Sequence, residues 1–257
     1  MKKLIISLAA LCLVACVELT AEYVRPDSVS EQVWNELTPY FLPEEMPIKH
    51  KLDKVFASRP TRSFAGLKIA GFKIPRIRRA AKVVVASHPK IKGFLIKLYT
   101  DNVSFTDEWI NWKRRIIGAQ FIEKTVAELG YEHIFKVPKK WIYPLPPEPA
   151  GMTPGPHRKN FVLIVENMKI LDPRKNEFWW RSIAMTPDKV EAIYTVFQKA
   201  GLADSVYPDN VPFCKDRKLA FVDTEHYRQW PVPFIKLLPF FNAEMQEYWL
   251  MLMQTRL

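Results

Sequence analysis

Glycine is scarce in this chain, with 8 in 257 residues. Sites that cradle phosphate on backbone amides need several glycines close together. Neither Gly-x-Gly-x-x-Gly nor Gly-x-Ser-x-Gly occurs. Cysteine is scarcer still, at 3, which excludes a disulfide-stapled scaffold and a multi-cysteine zinc site. The 5 histidines, at 50, 88, 133, 157 and 226, are scattered, and no His-Glu-x-x-His links any two of them. His226 beside Glu225 reads as an exposed loop histidine. Acidic residues fall short of basic ones, 27 against 38, for a net charge of +11. Beyond the N-terminus no apolar run is clean enough to span a bilayer. The richest, Trp230 to Met253, is interrupted by Lys236, Pro239, Asn242, Glu244 and Glu247, a pattern for a buried or amphipathic helix. What the chain does hold is core material: 48% hydrophobic residues, including 16 Phe, 8 Trp and 9 Tyr. It is therefore a globular chain able to bury a real core.

The first sixteen residues have the layout of an export signal. Lys2 and Lys3 precede an apolar stretch from Leu4 to Val14, too short to cross a membrane and of the right length for a signal h-region. Leu13-Val14-Ala15-Cys16 resembles the lipobox of bacterial lipoproteins. The resemblance implies cleavage before Cys16, whose sulfur carries the diacylglycerol. A plain secretory peptide or a short N-terminal anchor is the alternative. The implied address is the bacterial cell envelope, with the membrane as a partner through lipidated Cys16. Val17 favours the outer membrane, since it does not resemble an inner-membrane retention signal. Cys12 leaves with the signal, so Cys214 is the one thiol remaining and no intrachain disulfide can form. Loss of Lys2 and Lys3 leaves 36 basic against 27 acidic residues, +9. Lys73, Arg76, Arg78, Arg79 and Lys82, then Lys90, Lys92 and Lys97, concentrate that charge early, as a solvated basic face or one that meets anionic lipid or nucleotide. Nucleic acid does not fit an exported protein.

The pattern along the chain divides it into a signal (1–15), a polar segment (16–65) and a two-lobed domain (66–257, parting near 165). Ser28-Val29-Ser30-Glu31 precedes Val33, Trp34 and Leu37, a capping box and short helix. Pro43 and Pro47 mark turns. Gly66 to Ile74 alternates as a strand, Lys82 to Ala86 is a β-branched run, His88-Pro89-Lys90 breaks it, and Gly93 to Tyr99 is a further strand. Trp109, Trp112, Ile116, Ala119, Ile122, Val126 and Leu129 recur at helical spacing, with Gly130 as the stop. Residues 138–156 hold seven prolines and read as an extended link. Phe161 to Glu166 is a buried-type strand, Pro187 to Gly201 a bounded helix, and Lys218 to Asp223 a strand ending on an acid. The predicted class is α+β.

One constellation carries chemistry. Pro208-Asp209-Asn210-Val211-Pro212-Phe213, followed by Asp216-Arg217-Lys218-Leu219-Ala220-Phe221-Val222-Asp223-Thr224-Glu225, resembles the catalytic and metal-binding loops of the protein-kinase-like fold. The Asp223-Thr224-Glu225 ending looks more like that of the small-molecule phosphotransferases. The resemblance, covering about 90–230, implies metal ligation by Asn210 and Asp223, a phosphate-binding Lys97 on its strand, Glu166 at the strand running into the hinge, and ATP with Mg²⁺ or Mn²⁺ as cofactors. A metal neutralises the triphosphate, and hard oxygen ligands hold it.

The departures define the functional expectation. Ser205 stands where the catalytic Asp belongs, and Asp204 and Asp209 are out of register. No glycine-rich loop precedes Lys97. Only Glu108 and Glu123 on the following helix offer it a partner. The expectation is a degenerate kinase-like domain, a pseudokinase, on a membrane-anchored lipoprotein that acts by binding nucleotide or a protein partner. The alternatives are an active phosphotransferase using Asp204 or Asp209 as base, with Lys97, Asn210 and Asp223 holding nucleotide and metal, and a structural envelope lipoprotein with no nucleotide site.

Overall fold

The structure is a computed structural model and describes residues 22–57, 64–74, 82–100, 108–146 and 159–255. Cys16 and the residues before it, expected as a signal, and Arg76, Arg78 and Arg79, lie outside the described residues. No helix among the described residues is long and apolar enough to cross a membrane.

Helix α1 (Glu31–Leu37) starts at Ser30, whose hydroxyl accepts the Val33 amide. The cap is thus Ser30 rather than a Ser28–Glu31 box. Helix α2 (Pro47–Ala57) begins on the proline expected to mark a turn. At the first helical position the missing N–H of proline costs nothing. Helix α3 (Phe64–Ile69) occupies part of the segment expected as a strand. Leu67 is buried there while Ile69 is 61% exposed, so the alternation does not track a buried face. Gly71, at φ 91°, ends the turn, and Lys73 pairs with Ser87 in one isolated bridge.

Strand β1 (Val83–Ala86), strand β2 (Phe94–Tyr99) and helix α4 (Glu108–Glu128) follow. Helix α4 ends where Gly130, at φ 72°, takes the left-handed conformation. Strand β3 (Phe135–Lys136) is short. Strand β4 (Lys140–Pro144) lies inside the segment expected to be an extended link. It is an edge strand, and edge positions and strand ends tolerate proline. Strand β5 (Phe161–Glu166) completes a four-stranded antiparallel sheet of order β1-β2-β5-β4.

Strand β5 splits its side chains between two cores. Val162 and Ile164 join Leu52, Phe56, Ile96, Leu98 and Tyr143 on one face. Phe161, Leu163 and Val165 join Leu37, Tyr99, Trp112 and Ile116 on the other. The segment expected as a polar leader to the domain is therefore part of it, since α1 and α2 each cover a face of the sheet.

The remaining helices are α5 (Pro173–Trp180), α6 (Pro187–Ala200) and α7 (Ala243–Thr255), with the two-residue strand β6 (Leu219–Ala220) parallel to β3. Hydrogen-bonded strand between Lys218 and Asp223 is confined to β6. The apolar run after Trp230 is divided into a 3-10 helix, Phe234–Phe240, and α7. These elements build a third core around Val190, Tyr194, Phe197, Phe221 and Trp249. Helix α4 serves two cores: Trp112 and Ile116 pack on the sheet, and Ile122 and Val126 pack on the helical half. Full burial of each such side chain contributes about 1.5–3 kcal/mol. The protein is α+β, with its sheet and its helical half joined along α4.

Candidate functional site

Residues Asp223-Thr224-Glu225 run through a polar layer between the sheet and α4. Successive strand side chains alternate between faces. Ile96 and Leu98 enter the core on the far side, so Lys97 projects toward α4. Lys97 is 8% exposed and donates from Nζ to the Val222 carbonyl at 3.1 Å. It belongs to the interior, not to the basic surface that Lys73, Lys82, Lys90 and Lys92 present. Lys140, on the first residue of β4, is buried and donates to Thr224 Oγ1 at 2.5 Å. Thr224 in turn donates from the same hydroxyl to the Arg115 carbonyl at 2.6 Å.

Arg115 supplies the central contact. Its Nη1 binds Asp223 Oδ1 at 2.6 Å, and its Nη2 binds Glu225 Oε2. One guanidinium thus spans two carboxylates, as its fixed fork of donors permits. The close approach of the two segments requires Gly118. A Cβ there would lie 1.9 Å from the Thr224 carbonyl oxygen.

The electrostatics follow from burial. Burial, with Arg115 adding to it, lowers the Lys97 ammonium to about 8 against the attraction of Asp223 and Glu225. Burial, then Lys97 and Arg115, hold Lys140 well below the usual lysine range. Burial alone would raise the Asp223 carboxyl, but Arg115, Lys97 and Lys140 outweigh it and bring it below its ordinary value. Three cationic side chains therefore share a low-dielectric layer with two acids.

The structure brings some predicted site residues together and separates others. Lys97 and Asp223 reach the same layer. The Asn210 carbonyl accepts the Val222 amide at 3.1 Å, so its backbone adjoins that layer. Its side-chain amide, however, donates to the Asp204 carbonyl at 2.7 Å. Glu166 Oε2 accepts the Lys139 amide at 2.9 Å and closes the end of β5. Of the two acids considered as partners for Lys97, Glu108 Oε1 accepts the amides of Asn160 and Phe161, and Glu123 is exposed near the far end of α4. Asp204 is exposed, 3.7 Å from His226 Nε2, and Asp209 is exposed. Ser205 is buried. Cys214 is buried, and burial pushes its thiol up to about 11, so it is not an activated nucleophile.

A comparison with protein-family models, with curated proteins and with solved structures gives no significant match. The site must be argued from its own chemistry. Among the described residues no group of three or more His, Cys, Asp or Glu is placed to hold a metal. A divalent cation at Asp223 would have to displace Arg115 and would then face Lys97 and Lys140, so the donor set does not fit one.

Sequence reasoning missed Arg115 and Lys140. Arg115 sits in the run Lys113-Arg114-Arg115, which looks like a solvated face. The available signal was its position three residues after Trp112 and three before Gly118, on the apolar stripe of the helix.

Proposed function

We propose that this chain is an envelope lipoprotein, held to a membrane through lipidated Cys16, whose kinase-like domain works by binding rather than by phosphoryl transfer. One observation carries the reading. Lys97 on β2, Arg115 on the helix that follows, and Asp223 meet in one layer, and on the kinase-like reading Arg115 stands where a kinase contributes a glutamate. That exchange reverses the electrostatics. In a kinase the helix acid holds the lysine for phosphate, and the Asp of the metal-binding loop is left for metal. Here the guanidinium neutralises Asp223 and Glu225, and Lys97 turns its ammonium to the Val222 carbonyl. Ser205 in place of the catalytic Asp removes the general base as well. The remaining role is a folded platform for a nucleotide or a protein partner.

Melting of the full chain in ATP or ADP, with and without Mg²⁺ or Mn²⁺, tests this reading, together with an assay of phosphate release. The expected result is no metal-dependent stabilisation and no release. Phosphate release that needs Mg²⁺ or Mn²⁺ and disappears in Asp223→Ala would overturn it in favour of an active phosphotransferase.

A further inference from the structure

A concavity lies away from the Arg115 layer. It is a cleft of about 440 Å³ lined by Lys136, Asn167, Met168, Lys169, Lys215 and Asp216, within the size range of small-molecule sites. Three separate segments build it: strand β3, the turn that leaves β5, and the hairpin that enters β6. Each contributes a lysine. The parallel pairing of β3 with β6 fixes the first segment against the third. The Lys215 amide donates to the Lys169 carbonyl at 3.0 Å and ties the second to the third.

The backbone around the cleft is held in an uncommon conformation. Lys169 and Arg217 have φ of 54° and 67°, a left-handed region that non-glycine residues seldom adopt. Side chains brace both turns. Asn167 Oδ1 accepts the Lys169 amide at 2.9 Å, and Asp216 Oδ1 accepts the Lys218 amide at 3.3 Å. Such outliers persist where the surroundings over-determine them, often at ligand sites.

The charges are unbalanced. Lys136 Nζ binds Asp216 Oδ2 at 2.8 Å, which spends the acid of the cleft on one lysine and keeps that lysine protonated. Glu166 also acts on Lys136 from the rim, but its Oε2 is bonded to the Lys139 amide. Lys169 and Lys215, both exposed, bring two further positive charges to a site whose backbone hydrogen bond keeps them neighbours. An anion seated between the two turns can be reached by both ammonium groups, and ammonium groups on flexible stems are common phosphate ligands.

We infer that this cleft binds a phosphate-bearing anion through Lys136, Lys169 and Lys215. The site uses none of Lys97, Asn210, Arg115 or Asp223, so it stands apart from the kinase-like reading.

Calorimetric titration of the full chain tests it with two probes at low ionic strength. One is inorganic pyrophosphate. The other is vesicles of phosphatidylglycerol in phosphatidylcholine, which distinguishes a lipid headgroup from a soluble ligand. Binding of either probe by the wild type is expected. In the Lys169→Glu, Lys215→Glu double variant it should weaken by about tenfold or more, as two reversed charges in partial solvent imply. Lys169→Gly relieves the backbone rather than straining it, so this variant folds, and it should still bind more weakly. Reversal of the distant, exposed Lys51 and Lys124 should leave affinity unchanged. The inference fails if neither probe binds, if the cleft variants bind as the wild type does, or if the distant reversals cost as much as those in the cleft.

Discussion

Arg115 holds Asp223 by a 2.6 Å ion pair across 108 residues of chain. That one contact fastens the helix packed on the sheet to the segment leaving the helical half. Removal of the guanidinium leaves the largely buried Glu225 and the partly exposed Asp223 without their shared cation. The Arg115→Leu variant is expected to lose about 2–3 kcal/mol in urea unfolding, below the ~3–5 kcal/mol of a fully buried pair because Asp223 is partly exposed. Arg115→Lys should recover less than half of it, since a point charge cannot span two acids. An unchanged midpoint in Arg115→Leu would show that the pair is incidental.

Gly118 is expected to reverse the usual helix rule. Gly→Ala inside an exposed helix stabilises by about 1 kcal/mol. Here the new methyl would meet the Thr224 carbonyl oxygen at 1.9 Å and the Tyr227 ring at 2.8 Å. Gly118→Ala must push α4 from the 223–225 segment, so a lowered melting temperature is expected. A rise would mean that the two segments part without cost.

Stability should climb with pH above neutrality. Lys97 releases its proton near 8 in the folded chain and near 10.5 when unfolded. Between those values the unfolded chain holds more protons, so stability rises with pH, by at most about 3 kcal/mol. Lys140, lowered by the same burial, acts in the same direction. Burial and Asp53 raise the Tyr143 phenol, and burial with Asp53 and Glu44 raises that of Tyr23. Unfolded tyrosines ionise near 10, and stability falls again above it. At the acid end, Asp223 loses its contribution as pH falls through its lowered value. Denaturation midpoints from pH 7 to 10 check the rise, and Lys97→Met should flatten it. A slope unaltered by that substitution would remove Lys97 as its source.

Lipid attachment has its own readout. Cells grown with labelled palmitate should label the wild-type chain and not Cys16→Ser. Label retained by the variant would place the anchor elsewhere.

The elements legible in the sequence are those with local causes. Pro187 and Gly201 bound α6 because one lacks an N–H that the first turn does not use and the other reaches φ 60° without strain. The spacing from Trp109 to Leu129 gave α4, and the apolar run Phe161–Val165 gave the central strand. Strand β4 was hidden because Pro138, Pro144 and Pro146 argue against a strand unless its edge position is known. Helix α3 was misread because a few alternating residues fit a strand as well as a short helix. At the site, Lys97 was legible through its place on a strand, whereas Asp223 lies three residues beyond the end of β6. Arg115 and Lys140 were not legible, because a basic residue on an amphipathic helix or beside prolines is ordinarily solvated.

Taken alone, the residues determined where α4 and α6 begin and end, where the buried strand lies, and that basic charge exceeds acidic. Those properties depend on neighbours within a few positions. The tertiary structure alone decided which charges meet. The pairing of 115 with 223, and the depression of two lysines, arise from segments far apart in sequence that exclude water together, and the strength of each charge there is set by what surrounds it.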